Sequence, residues 1–181
     1  SDFDFAQRLV ISHVWALPKL DHGGSLMRGV AGGWEFTGIT TIRSGGPFSV
    51  LSGADRAYEG TGANRADLVG NPFLPTDRSR SELIARYFNP SAFALNAIGT
   101  FGTAPRNLMR GPGAMSFDLG LMKVFPIGEK LRLQFRGELF NAFNTPRLGN
   151  PYANLNAPAR IGRIEGAGDP RIVQFGLKIS F

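Results

Sequence analysis

Hydrophobic and polar side chains alternate with a period of two in several stretches of this chain. The cleanest is 130–143 (KLRLQFRGELFNAF): Leu131, Leu133, Phe135, Gly137 and Leu139 share one parity, and Arg132, Gln134, Arg136 and Glu138 the other. In 171–181, Val173, Phe175, Leu177, Ile179 and Phe181 alternate with Gln174, Gly176, Lys178 and Ser180. Successive side chains of a strand point to opposite faces, so both stretches predict strands with one apolar and one polar face. A helix would repeat its apolar residues at three and four. Enrichment in β-branched and aromatic residues predicts further strands over 3–17, 34–50 and 114–125. Leu9, Ile11, His13, Trp15 and Leu17 share a face of the first. In 114–125, Met115, Phe117, Leu119 and Leu121 oppose Ser116, Asp118, Gly120 and Met122. Pro18 ends the first strand, since proline has no amide to donate to a ladder. Ser44-Gly-Gly-Pro47 predicts a bulge or bend in the second.

The connections carry as much information as the strands. Residues 18–33 form a modest link with two glycine pairs and a single helical turn near Ser25–Val30. Residues 51–113 form a very long one, rich in Gly, Pro, Asn, Asp and Arg. Within it Ser79-Arg-Ser-Glu82 reads as a capping box ahead of a short helix near 80–86. Pro126-Ile-Gly-Glu129 is a tight turn. Residues 144–170 are again long. Such lengths are foreign to a compact soluble domain. Short and long connections in alternation are what successive hairpins of an outer-membrane barrel require, with short turns on one rim and long loops on the other. The predicted class is therefore all-β, an antiparallel up-and-down transmembrane β-barrel.

Composition narrows the chemistry. The chain has 181 residues, 43 % hydrophobic, with 15 Phe, 24 Gly and 12 Pro. No stretch approaches the roughly 18 apolar residues of a membrane helix, a test that is blind to strands. There is no cysteine, which excludes disulfides, thiolate metal sites and a Cys nucleophile. The net charge of +6 permits anionic partners without selecting one. The arginines are spread over loops and one strand face, so nucleic acid is not an expected partner. The sequence begins with Ser and shows no leader pattern, which suggests a fragment or processed piece.

Candidate sites are few. His13 and His22 lie nine apart with only Asp21 nearby, and read as structural or interfacial rather than metal-binding. Asp118 and Glu138 could form a glycosidase-like carboxylate pair on facing strands, but pairing with Arg132 or Arg136 fits better. Arg106, Arg110, Arg160 and Arg163 suit lipopolysaccharide phosphates or an anionic ligand, and equally a solvated loop surface. Gly111-Pro-Gly113 lacks the strand–helix context of a phosphate cradle. The serines have no nucleophile elbow or partner histidine. The expectation is no enzyme, no metal and no cofactor. Orientation follows from energy. An Arg on the lipid face near the midplane costs roughly 2–4 kcal/mol. That puts Leu131, Leu133, Phe135, Leu139, Phe175 and Leu177 toward lipid, and Asp118, Arg132, Arg136 and Glu138 toward the lumen. Lys123 falls on the apolar parity beside the short turn, from which it could reach headgroups.

The last strand resembles the C-terminal signature of bacterial outer-membrane proteins, carried by Gln174, Gly176, Ile179 and Phe181, with Ile179 where an aromatic is commoner. More specifically, the chain resembles the C-terminal end of TonB-dependent receptors of the Oar-like type, which often carry a carboxypeptidase-regulatory-like domain. The matching stretches are Gly33-Trp-Glu-Phe-Thr-Gly38 with Ser44-Gly-Gly-Pro-Phe48, Phe88-Asn-Pro-Ser-Ala-Phe93, Gly99-Thr-Phe-Gly102 and Arg106-Asn-Leu-Met-Arg-Gly-Pro-Gly113. Leu131-Arg-Leu-Gln-Phe-Arg136, Leu139-Phe-Asn-Ala-Phe-Asn144 and Gly168-Asp-Pro-Arg171 complete the set. The resemblance implies that 1–181 is the C-terminal part of a barrel of about 22 strands. Five strands cannot close such a barrel, so an open, curled sheet is expected. It also implies extracellular loops at 51–113 and 144–170, recognition of the last strand by the barrel-assembly machinery, and an upstream plug and TonB-binding segment. Outer-membrane lipid and lipopolysaccharide are the implied partners, and uptake or export of a bulky ligand the implied role. Two alternatives stay open: a structural or adhesive barrel without active transport, and a soluble carbohydrate-binding β-sandwich.

Overall fold

A computed structural model of the chain describes residues 4–20, 22 and 24–181. In chain order the elements are β1 (Arg8–Ala16), helix α1 (Ser25–Ala31), β2 (Glu35–Arg43), β3 (Pro47–Phe48), β4 (Asp67–Leu68), helix α2 (Arg80–Ala85), a 3-10 turn (Pro90–Ala92), β5 (Phe93–Ala94), β6 (Met109–Arg110), β7 (Ala114–Ile127), β8 (Leu131–Phe140) and β9 (Ile172–Ser180). The chain divides into two compact units. A sheet unit takes 8–43, 114–147 and 169–181, and a loop unit takes 44–113, 148–168 and the stretch up to Gln7.

The sheet unit is one five-stranded sheet in the order β1-β2-β7-β8-β9, antiparallel throughout. β1 and β9 are its edges, so the sheet is open, as expected for this number of strands. The five predicted strands are all present, with shifted ends. β2 stops at Arg43 rather than continuing through 50. Ser44–Gly46 does not bulge the ladder; the chain leaves it, and Pro47–Phe48 pairs with Met109–Arg110 in the loop unit. β7 runs through Pro126 to Ile127, so the tight turn sits at 128–130, where Gly128 takes φ +67°. β8 ends at Phe140 because Asn141 turns left-handed at φ 49°.

The loop unit is not the irregular connection its composition suggests. Phe48, Val50, Ala66, Phe88, Phe93, Met109 and Ile161 form a core of their own. Phe88 is wholly buried, with Phe93 edge-on at 5.7 Å and Phe48 at 6.0 Å. Two short ladders, β3–β6 and β4–β5, brace it. α2 begins with the predicted capping box: Glu82 N donates to Ser79 Oγ at 3.3 Å, and Ser79 N donates to Glu82 Oε2 at 2.8 Å.

Candidate functional site

Register decides which side chains share a face. Leu131, Leu133, Phe135 and Leu139 of β8 stand opposite Ile127, Phe125, Lys123 and Leu119 of β7. Across the other ladder, Leu133, Phe135, Gly137 and Leu139 meet Ile179, Leu177, Phe175 and Val173. Continuing through β2 and β1, the same face collects Phe36, Ile42, Leu9, Ile11, His13 and Trp15. Every residue expected to face lipid therefore lies on one side of the sheet. Phe175 and Leu177 are each 71 % exposed, and Phe135 stacks on Phe175 at 6.1 Å. No second sheet layer covers this face among the described residues of the unit, which removes the support for a β-sandwich.

The opposite face holds Asp118, Arg132, Arg136, Glu138, Gln174, Gly176 and Lys178. Arg136 pairs with Glu138 at 2.6 Å. Asp118 does not join them, contrary to the expected Asp118–arginine pairing. Arg136 stands opposite Met122, four positions along β7 from Asp118, or about 13 Å. Asp118 instead accepts the Asn141 amide at 2.8 Å. With both carboxylates engaged in this way, the glycosidase-like pair is not formed. A small hollow of about 170 Å³ is lined by Glu35, Thr37, Leu121, Met122, Arg136 and Glu138.

The Asn141–Asn144 stretch is a signal that reading for period alone missed. Asn141 Oδ1 accepts from Thr145 N at 2.9 Å, and its Nδ2 donates to the carbonyls of Thr145 and Asp169 at 3.2 Å each. Asn144 Oδ1 accepts from Arg171 N at 3.0 Å. Both asparagines have positive φ, which Asn tolerates better than most residues. They tie the ends of β7, β8 and β9 together where the long connection begins and ends.

The loop unit carries a cavity of about 580 Å³ bordered by Ser49, Glu59, Asn64, Arg65, Phe101 and Asn107. The loop arginines do not converge on it. Arg106 lines the cavity, but Arg110 pairs with Asp4 at 2.6 Å, and Arg160 pairs with Glu165 at 2.5 Å while lying over the Tyr152 ring. The bond from Arg160 holds the Glu165 carboxyl below its ordinary range. His13 packs on Phe36 at 5.6 Å and over Gly38, where a Cβ would lie 2.3 Å from His13 Cε1. His22 is exposed, and Asp21 lies outside the described residues. No cluster able to hold a metal ion occurs among the described residues.

Lys123 is the other surprise. It does not extend to the rim but is 5 % exposed, its Nζ donating to the carbonyls of Val30 and Gly32 beyond the apolar ladder.

An antiparallel sheet with one apolar face, its charges gathered on the other apart from Lys123, and connections alternating in length is the wall of a membrane β-barrel. The outer membrane beta barrel domain model matches residues 1–174, and the chain belongs to that family. Its place is the bacterial outer membrane. Nothing matches among curated proteins or among solved structures.

Proposed function

We propose that this chain is wall, lumen lining and surface loop of a TonB-dependent receptor that moves a bulky ligand across the outer membrane. The observation that carries it is the segregation of connections by rim. The hairpin at 128–130 and the link 17–34 leave from one end of the sheet, and both long connections leave from the other. The ordered motifs from Gly33-Trp-Glu-Phe to Gly168-Asp-Pro-Arg add the finer type. On this reading the apolar face meets lipid, the Arg136–Glu138 face lines the lumen, and the loop unit meets lipopolysaccharide and ligand. β9, with Gln174, Gly176, Ile179 and Phe181, is offered to the barrel-assembly machinery. The role is passive, with no catalytic step. TonB would engage a segment upstream.

The test is expression of the full gene. The product should fractionate with outer membranes, migrate heat-modifiably, and bind the periplasmic domain of TonB. Membrane recovery without TonB binding would favour the second reading, a structural or adhesive barrel. That reading draws on the packed core of the loop unit and the exposed Tyr58 held at φ 56°, an aromatic fixed in a strained conformation at a loop tip.

A further inference from the structure

The link between β1 and β2 folds back over the apolar face of the sheet. Lys123 is the one charged strand residue on that face, opposite Phe135 and four positions before Ile127, about 13 Å along the strand. It is covered there. Its Nζ donates to Val30 O at 2.9 Å and to Gly32 O, 5.4 Å from the Trp34 ring centre and 5.1 Å from that of Phe125. Trp34 Nε1 also donates to Val30 O at 2.9 Å, and its ring stands edge-on to Phe125 and Phe135. The last carbonyls of a helix have no partner within it and carry the negative end of its dipole. Here a buried ammonium and an indole supply those partners and pin α1 to β7.

The far side of α1 is what remains visible. Met27 is 62 % and Val30 51 % exposed, with Leu20 also exposed. Lys19 and Arg28 are exposed beside them. Apolar side chains flanked by basic ones next to a tryptophan are the composition of a segment lying at the headgroup–acyl boundary.

We infer that the α1 segment is an interfacial foot of the barrel and that Lys123 is its latch. Its partner is phospholipid. Met27 and Val30 enter the acyl boundary, and Lys19 and Arg28 meet lipid phosphates. Lipid is the occupant because α1 sits on the sheet's apolar face and continues it. The inference rests on the reading of that face as the one turned to lipid. The foot also explains a cation on an oily face: α1, not lipid, covers Lys123.

The experiment uses the full-length protein in dioleoylphosphatidylcholine vesicles, with a nitroxide on Val30→Cys and, separately, on Leu177→Cys and Gln174→Cys. Power saturation compares collision with oxygen, enriched in lipid, and with a water-soluble nickel chelate. Leu177 should be oxygen-dominated and Gln174 not, which tests the face. The Val30 label should be oxygen-dominated too, at a shallower depth than Leu177. If Leu177 behaves as lipid-exposed and Val30 as aqueous, the foot is overturned and the face reading survives. If Leu177 is aqueous, both fall. Lys123→Met should then raise the mobility of the Val30 label several-fold and move it toward water. An unchanged Val30 spectrum in that variant overturns the latch.

Discussion

The two units of this chain treat their apolar residues in opposite ways. In the loop unit Phe88, Val50 and Ala66 are hidden, and polar groups cap, turn and pair around them. In the sheet unit, ladder hydrogen bonding is regular across five strands, yet the aromatic and aliphatic side chains of one face stand in the open. The loop unit is built against water, as a small soluble domain is. The sheet satisfies its backbone internally between its edges and leaves its side chains to another solvent. Two rules of solvation operate in one chain, and the border falls where β2, β7, β8 and β9 meet their long connections.

The comparison breaks most sharply at Phe88. Phe88→Ala should remove about 3–5 kcal/mol from the loop unit, the cost of deleting a buried phenyl without refilling its site. Hydrogen exchange in membranes should show 44–113 losing protection while β7–β9 keep theirs. Loss of protection in both would show that the units are one cooperative body.

The next largest effect should come from Phe175→Arg on the exposed face, roughly 2–4 kcal/mol against membrane folding near the midplane. Gln174→Arg, one residue away on the other face, should cost far less. Yield of heat-modifiable protein in the outer membrane reads the difference. Equal yields would mean that neither face is selected by lipid.

Strand identity and facing were legible because period-two alternation is a direct image of the pleat, clearest where one side must be charged, as in Leu131–Leu139. Strand ends were less so. Pro126 reads as a turn residue, yet β7 runs through it and pairs on to Ile127, and Phe143 continues the alternation although Asn141 has already turned the chain. The site was legible as two faces but not in its contacts. Nothing in the alternation shows that Asp118 caps an amide rather than pairing with an arginine. Nor does it show that Lys123 turns to the carbonyls of Val30 and Gly32, 93 and 91 positions away. Such partners are set by register across strands, which local spacing does not contain. The loop core was missed because Phe48, Phe88, Met109 and Ile161 converge from distant points with no common period.

Asn141 tests the border itself. Asn141→Ala deletes three hydrogen bonds to Thr145 and Asp169 and places a less tolerant residue at positive φ. A cost of about 1–3 kcal/mol is expected. It should be local: faster amide exchange at Thr145 and Arg171, with β1 and β2 unaffected. A uniform loss across the sheet would mean that Asn141 holds the whole wall rather than its rim.

The smallest effect lies wholly on the water-built side. The Glu82 carboxyl sits below its ordinary value of 4.5, chiefly because the Ser79 hydroxyl and then the Ser79 amide donate to its charged form, with Arg78 adding to the effect. A depressed folded pKa contributes stability above the unfolded value and loses it as pH falls through the folded one. α2 should therefore be unchanged from pH 7 to about pH 5 and fray progressively below 4.5. The carboxyl carbon shift of Glu82, followed by NMR alongside the Leu83 and Arg86 amides, reads both ends of this linkage. Glu82→Gln keeps an acceptor for the Ser79 amide without a titrating charge, so its helix should be slightly weaker at pH 7 and flat with pH. Ser79→Ala should cost about 1 kcal/mol and return Glu82 toward its ordinary titration. If α2 frays identically in the Gln variant, its acid sensitivity comes from elsewhere in the loop unit.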